Sequence, residues 1–184
     1  MAAPVAAMTS RPNGFAFANS ALSSMGHLAT ESFKRAAGVE AVVCCRGTAP
    51  TPTDVVSGGV TLMVAPLGSA PPHLTGGGLR AYAAMGPRRS PRAPGVPTIA
   101  GQEMPGLDFT LWYALWAPEG LPEVQADRLR AAAETVSREP AMAAHIGEQG
   151  AEVVAKDRAA FARVVAAEAE RDARIAQRAG GGPE

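Results

Sequence analysis

Cysteine is scarce in this sequence. Its two cysteines, Cys44 and Cys45, are adjacent within an apolar run of the 184-residue chain. Adjacent cysteines have neither the spacing of a zinc site nor that of a disulfide framework. The three histidines, His27, His73 and His145, are far apart in the sequence. The sequence therefore predicts no metal site, and nothing in it implies a cofactor.

Long apolar runs are also lacking. None approaches the roughly 20 residues of a membrane-spanning helix, so we predict no transmembrane segment. The first residues, MAAPVAAMTSRPNG, lack the basic n-region of a secretory signal. As written, the chain is expected to stay in the cytoplasm.

Neither sign of charge is in excess over the whole chain. With 17 basic and 17 acidic residues the net charge is zero, which gives no reason to expect a nucleic-acid partner. The distribution is uneven, since residues 1–100 hold 8 basic and 3 acidic residues and residues 101–184 hold 9 and 14. A basic first part would attract an anionic ligand, although three of its arginines share one proline-rich loop. A hydrophobic content of 47% is that of a globular protein with a core.

Residues 19–38 predict an amphipathic helix with both ends marked. Four apolar residues recur at i, i+4, i+7 and i+8, namely Ala29, Phe33, Ala36 and Ala37. Ser23 and Ser24 precede the helix as candidate N-caps, and Gly38 follows it as a left-handed C-terminal residue. The free amides of the first turn, the helix dipole and two hydroxyls converge there. That combination suits a carboxylate, although an ordinary capped helix has the same pattern.

The remaining chain predicts alternating strands and helices. Strands are expected at 15–18, 39–45, 60–64, 79–85, 109–116 and 151–155, with 109–116 giving the strongest signal. Helices are expected at 2–10, 53–57, 122–138, 140–149 and from 157 to about 179, and 68–75 is a helical or turn segment broken by its two prolines. The glycine clusters at 58–59 and 76–78 run from helix to strand, so they are helix stops rather than phosphate-binding loops. Alternation predicts an α/β fold that binds ligands beyond the strand C-terminal ends.

Four ordered stretches resemble a known family. They are PNGFAFANSALSSMGHLATESFKRAAGVE, RGTAPTPTDVVSGGV, GGGLRAYAAMGPRRSPRAPGVPTIAG and PGLDFTLWYALWAPEGLP. Their order is similar to that of the Bug-type (TctC-like) solute receptors of tripartite tricarboxylate transporters. The resemblance implies the two-domain, type II periplasmic-binding-protein-like fold, here as an N-terminally truncated chain. It divides the chain into a remnant of the inter-domain helix (1–11), the second α/β domain (12–105) and a C-terminal crossing segment that completes the first domain (106–184).

The resemblance also implies a function and a site. Receptors of this family are not enzymes; they bind a small carboxylate between two domains in the periplasm and deliver it to membrane subunits. The implied ligand-binding positions are Ser20, Ala21, Ser23, Ser24, Met25, Gly26 and His27 in the loop before the helix, Arg46 and Gly47 in the next loop, and Ala65, where the family has an aspartate. Arg46 keeps the positive charge of its loop. Because the opening half of the first domain is missing, apolar surface is expected around Trp112, Trp116 and the last helix.

Two alternatives remain open. A truncated or degenerate relative would bind no ligand, because half of the cleft and some polar contacts are missing. A thiol enzyme would pair Cys45 with His27 as nucleophile and base. No third orienting group is evident in the sequence, and a cysteine in an apolar strand is usually a buried one.

Overall fold

A three-stranded parallel sheet forms the centre of the fold. The computed structural model describes residues 2–11, 14–22, 24–45, 51–154 and 156–178. Strands β1 (Ala16–Asn19), β2 (Val42–Cys45) and β3 (Leu62–Met63) lie in the order β2-β1-β3. In the register, Phe17 of β1 lies between Val43 and Leu62. A parallel α/β fold was predicted, and it is confirmed.

Helices precede, link and follow the strands. They are α1 (Ala2–Ser10), α2 (Met25–Ala37), α3 (Thr51–Val56), α4 (Pro71–Thr75), α5 (Glu123–Arg138), α6 (Pro140–Glu148) and α7 (Arg158–Arg178), with short 3-10 turns at Leu67–Ser69 and Ala100–Gln102. The segment at 68–75 divides directly before its prolines, since a 3-10 turn ends at Ser69 and α4 begins at Pro71, where the fixed φ of proline suits a first turn. None of the helices within the described ranges is long and apolar enough to cross a membrane.

The ends of α2 follow the predicted signals. Ser24 is the N-cap, with φ −67° and ψ 159°, and its Oγ accepts a hydrogen bond from the amide of His27 at 3.3 Å. Gly38 has φ 64° and ψ 36°, and its amide donates to the carbonyl of Arg35 at 3.2 Å. Glycine adopts the left-handed conformation with less strain than any other residue, so the helix ends where the sequence predicts.

The hydrophobic core joins α1, the sheet and α2. Phe17 of β1 meets Phe33 of α2 edge to face, with ring centroids 5.9 Å apart. The buried cluster consists of Met8, Phe17, Leu28, Ala29, Phe33, Val39, Ala41, Ile99, Leu107 and Phe109. Burial of the apolar face of α2 against the sheet is the main source of stability for this part of the chain.

Five expected strands are wrong in extent or in kind. The strand expected at 39–45 begins only at Val42, and the one at 60–64 shrinks to Leu62–Met63. The segment at 79–85 contributes only an isolated bridge between Ala84 and Thr98. Residues 109–116 and 151–154 form no strand, and residue 155 lies outside the described ranges. A strand needs a neighbour for its backbone hydrogen bonds, and apolar alternation does not specify that neighbour.

The last third of the described chain buries none of its residues. Beyond Phe109 every described residue is exposed or only partly buried. Tyr113, Leu115 and Trp116 are 85%, 83% and 69% exposed. Of the exposed apolar surface expected around Trp112, Trp116 and the last helix, the part at Trp116 is present. Trp112 is only partly exposed, and within the described chain no large apolar side chain of the last helix is among the exposed ones.

The helices of this region are nonetheless close to their predicted bounds. Pro122 precedes α5, and Pro140 begins α6. Asp157 caps α7, because its Oδ1 accepts a hydrogen bond from the amide of Ala160 at 2.7 Å. Their start signals lie in the neighbouring sequence, so the helices could be predicted although none of their described residues is fully buried.

Candidate functional site

The C-terminal ends of β1 and β3 meet at the start of α2. After Asn19 the chain turns through Ser20 and Ala21 to the N-cap Ser24. On the β3 side, a Cβ atom added to Gly26 would lie only 3.0 Å from the carbonyl oxygen of Val64. This close backbone approach leaves little room for a Cβ atom, and it places the first turn of α2 against the residue that follows β3.

Asn19 fastens the same turn to the sheet. Its side chain is fully buried, and the amide orientation that satisfies its neighbours has the nitrogen donating to the carbonyl oxygens of Ala18 and Gly26, both at 3.1 Å. Thr30 donates from Oγ1 to the Gly26 carbonyl at 2.9 Å. Neither Asn19 nor Thr30 was predicted from the sequence as a site residue. An asparagine that directly ends an apolar strand was the available signal, because a buried amide requires partners.

Two backbone amides in the first turn of α2 make no hydrogen bond among the described residues. The hydroxyl of Ser24 donates to the carbonyl of Ala21 at 2.7 Å, and its oxygen accepts from His27, so this side chain is engaged. The amide of Leu28 donates to the Ser24 carbonyl at 3.0 Å. Within the described ranges, the amides of Met25 and Gly26 have no recorded acceptor. They lie at the positive end of the helix dipole, where an anion is stabilised.

The other predicted positions are distributed around this turn. Ser20 and Ala21 are exposed, whereas the residues of the first turn and Ala65, next to Val64, are partly buried. The predicted site residues Ser23, Arg46 and Gly47 lie outside the described residues, so the part they play stays a prediction.

Only Cys44 of the two cysteines has a described side chain. Cys44 is partly buried, and its thiol donates to the carbonyl of Phe17 at 3.3 Å within the sheet. The side chain of Cys45, the candidate nucleophile, is outside the described part of the structure. Across the described ranges, no group of three His, Cys, Asp or Glu residues is placed to hold a metal ion.

Comparison with known proteins identifies the family. The sequence profile of the tripartite tricarboxylate transporter family receptor, TctC, matches residues 1–180. The chain belongs to this family. TctC proteins are transporter receptors rather than an enzyme family. The chain is also similar to protein BugT of Bordetella pertussis, at 33% identity over 117 residues, which make up 63% of this chain and 36% of BugT.

Solved structures show the same fold. R. palustris Rpa4515, solved with adipate, matches 98% of this chain at 31% identity and a TM-score of 0.87. A periplasmic transporter matches 96% of it at 28% identity and a TM-score of 0.88. The α/β fold is thus that of the TctC-type periplasmic binding proteins. This chain spans 60% of the Rpa4515 chain and about a third of BugT, so it is short for the family.

Proposed function

We propose that this chain carries one wall of a binding site for a small carboxylate, as part of a TctC-family solute receptor. The observation that carries the proposal is the pair of amides at Met25 and Gly26, held toward the sheet edge by Asn19 and left without an acceptor among the described residues. Carboxylates bind at such helix N-termini. The adipate of Rpa4515 is a dicarboxylate, which supports this ligand class at 31% identity.

The proposal includes the division of the chain. Residues 12–105 would form the ligand-binding domain, 1–11 the remnant of the inter-domain helix, and 106–184 the segment that completes the other domain. Met8 from the first part and Leu107 and Phe109 from the third part pack in one core with Phe17 of the ligand-binding domain. Side chains therefore pack across both boundaries. The periplasm as compartment and transporter membrane subunits as partners belong to the same proposal and come from the family. Arg46 would add positive charge to the site.

A single open wall should bind weakly. Ion contacts that stay in water contribute only about 0–1 kcal/mol each. We therefore expect this chain by itself to bind adipate no better than about millimolar, which corresponds to roughly −4 kcal/mol. Titration of the 184-residue chain with adipate, followed by NMR, measures this. Micromolar binding would contradict the one-wall geometry, and the absence of any adipate-dependent shift would favour the non-binding alternative.

Met25→Pro tests the site itself. Proline removes the amide hydrogen, yet it is favoured at the first position of a helix, and Ser24 before it already has the extended φ and ψ that proline demands. We expect adipate affinity to fall roughly two- to tenfold, the equivalent of one hydrogen bond. Met25→Ala is the matched control, because it removes the same side chain and keeps the amide. Equal affinities of the two variants would place the carboxylate elsewhere.

A further inference from the structure

A cavity lies between α2 and α7, apart from the candidate carboxylate site. Its volume is about 310 Å³, and residues from the segment 105–109 close it on a third side. Arg35 in its lining is ten residues beyond Met25 on α2. Because a helix rises about 1.5 Å per residue, the cavity is roughly 15 Å along the axis of α2 from the first-turn amides. One small ligand therefore cannot occupy both places.

The floor of the cavity is apolar. Leu107 and Phe109 in its lining are buried, at 4% and 7% exposure. Ile175 of α7 also lines the cavity and packs against the same core. A hydrocarbon group placed on this floor would leave water, which favours binding.

Arg171 is held against this floor. Its guanidinium lies over the ring of Phe109, with Cζ 4.9 Å from the ring centroid. Nη1 donates to the carbonyl of Asp108 at 3.1 Å, and Nε donates to Oδ1 of Asp172 at 2.8 Å. Asp172 thus balances the charge of Arg171, and this side chain shapes the cavity.

Arg35 and Arg178 leave the rim of the cavity positively charged. Both are exposed, and they line it from different helices. The Arg35 guanidinium donates to the carbonyl of Arg178 at 3.5 Å, and within the described ranges neither arginine is paired with a carboxylate. Glu31 in the lining is neutralised by Lys34 at 2.9 Å. The C-terminal ends of the two helices offset only about half a charge each, so a net positive charge remains.

A positive rim over an apolar floor suits an anion with a short hydrocarbon tail. Guanidinium groups bind a carboxylate through charge-assisted hydrogen bonds. A volume of about 310 Å³ is at the lower end of the range for small-molecule sites, about 300–1,000 Å³, which favours a tail of a few carbon atoms. A dicarboxylate is less suitable, because its second charge would lose its water on the floor.

We infer that this cavity is a binding site for a monocarboxylate with a short apolar tail. Arg35 and Arg178 hold the carboxylate, and the tail covers Leu107, Phe109 and Ile175. The site is separate from the one proposed at the first turn of α2, so either can fail without the other.

Titration of the 184-residue chain with hexanoate, followed by NMR, tests the inference. We expect saturable shifts at residues 31–36, 105–109 and 171–178, which an equal concentration of adipate leaves in place. Hexanol has the tail without the charge, and acetate has the charge without the tail, so each should bind roughly tenfold more weakly. The absence of saturable shifts at these residues would overturn the inference. So would hexanoate shifts that are confined to the first turn of α2.

Substitutions on the rim separate ligand binding from a role at the helix ends. Arg35→Gln and Arg178→Gln each remove one charge, so each should weaken hexanoate binding roughly threefold, and the double variant roughly tenfold. Arg163→Gln is the matched control, because Arg163 is an exposed arginine of α7 that lies outside the cavity. Unchanged hexanoate affinity in the double variant would mean that the two arginines only neutralise the helix ends, and the inference would be wrong.

Discussion

At the scale of single residues, Gly26 decides how closely α2 approaches the sheet. Gly26→Ala adds a methyl group 3.0 Å from the carbonyl oxygen of Val64, closer than a carbon atom normally packs. We expect this substitution to lower the free energy of unfolding by about 1–2 kcal/mol through overpacking. This loss should outweigh the higher helix propensity of alanine relative to glycine. The free energy of unfolding, measured in urea, tests the prediction.

Gly147→Ala is the control for this substitution. Gly147 lies in α6 with no atom within 4 Å of the position its Cβ would occupy. Only the difference in helix propensity acts at this position, so the free energy of unfolding of the variant should rise by up to about 1 kcal/mol. If Gly26→Ala gained stability as well, the first turn of α2 would not be packed against the residue after β3.

Residues with local roles were the ones that the sequence could predict. The N-cap Ser24 and the C-terminal Gly38 act on their own helix, so their neighbours in the sequence suffice to identify them. Asn19 was missed because its partners, Gly26 and Thr30, come next to it only through packing of α2 on β1. The same holds for the Val64 carbonyl, which enters the candidate site from a different strand.

At the scale of elements, α7 contacts residues 111–116, called the strip below, through the ring of Phe161 and through Glu168, which accepts a hydrogen bond from the indole of Trp112 at 2.6 Å. The ring of Phe161 lies 5.2 Å from that of Trp112 and 5.7 Å from that of Trp116. Phe161→Ala should release the strip, which would move tryptophan emission to longer wavelength and increase quenching by acrylamide. Because Phe161 is not part of the buried core, the free energy of unfolding should change by less than about 1 kcal/mol.

Phe33→Ala should have the opposite effects, a large loss of stability without a change in tryptophan fluorescence. Phe33 is buried, at 4% exposure, and meets Phe17 in the core. Its truncation should cost about 3–5 kcal/mol while tryptophan emission from the native state stays unchanged. A large loss of stability in Phe161→Ala would mean that the strip and the core unfold as one unit.

The elements show the limit of sequence patterns more generally. Helices α5, α6 and α7 were predicted nearly to the residue because prolines and a capping aspartate mark their starts. Residues 79–85 and 109–116 have equally clear strand composition, yet neither forms a strand. Whether such a segment pairs depends on a neighbour elsewhere in the chain or outside it, and composition is silent on that neighbour.

At the scale of the whole molecule, stability should be concentrated before residue 110. The described buried residues run from Met8 to Phe109, whereas α5 and α6 have no buried residue. Backbone amides open with free energies that follow local burial. We expect hydrogen exchange in α5 and α6 to be faster than in the middle of α2 by several powers of ten. Mass spectrometry of peptides from each region measures it, and equal protection would show one cooperative unit.

The position of the core in the chain also has a consequence for synthesis. A ribosome makes the polypeptide from its N-terminus, and domains generally fold as their residues emerge. Every residue of the buried cluster has been made once Phe109 is added, and β1, β2 and β3 lie within the first 63 positions. The sheet and α2 can therefore assemble while the remaining residues are still being translated. The strip emerges next, so a nascent chain presents a folded core followed directly by a segment with exposed apolar side chains.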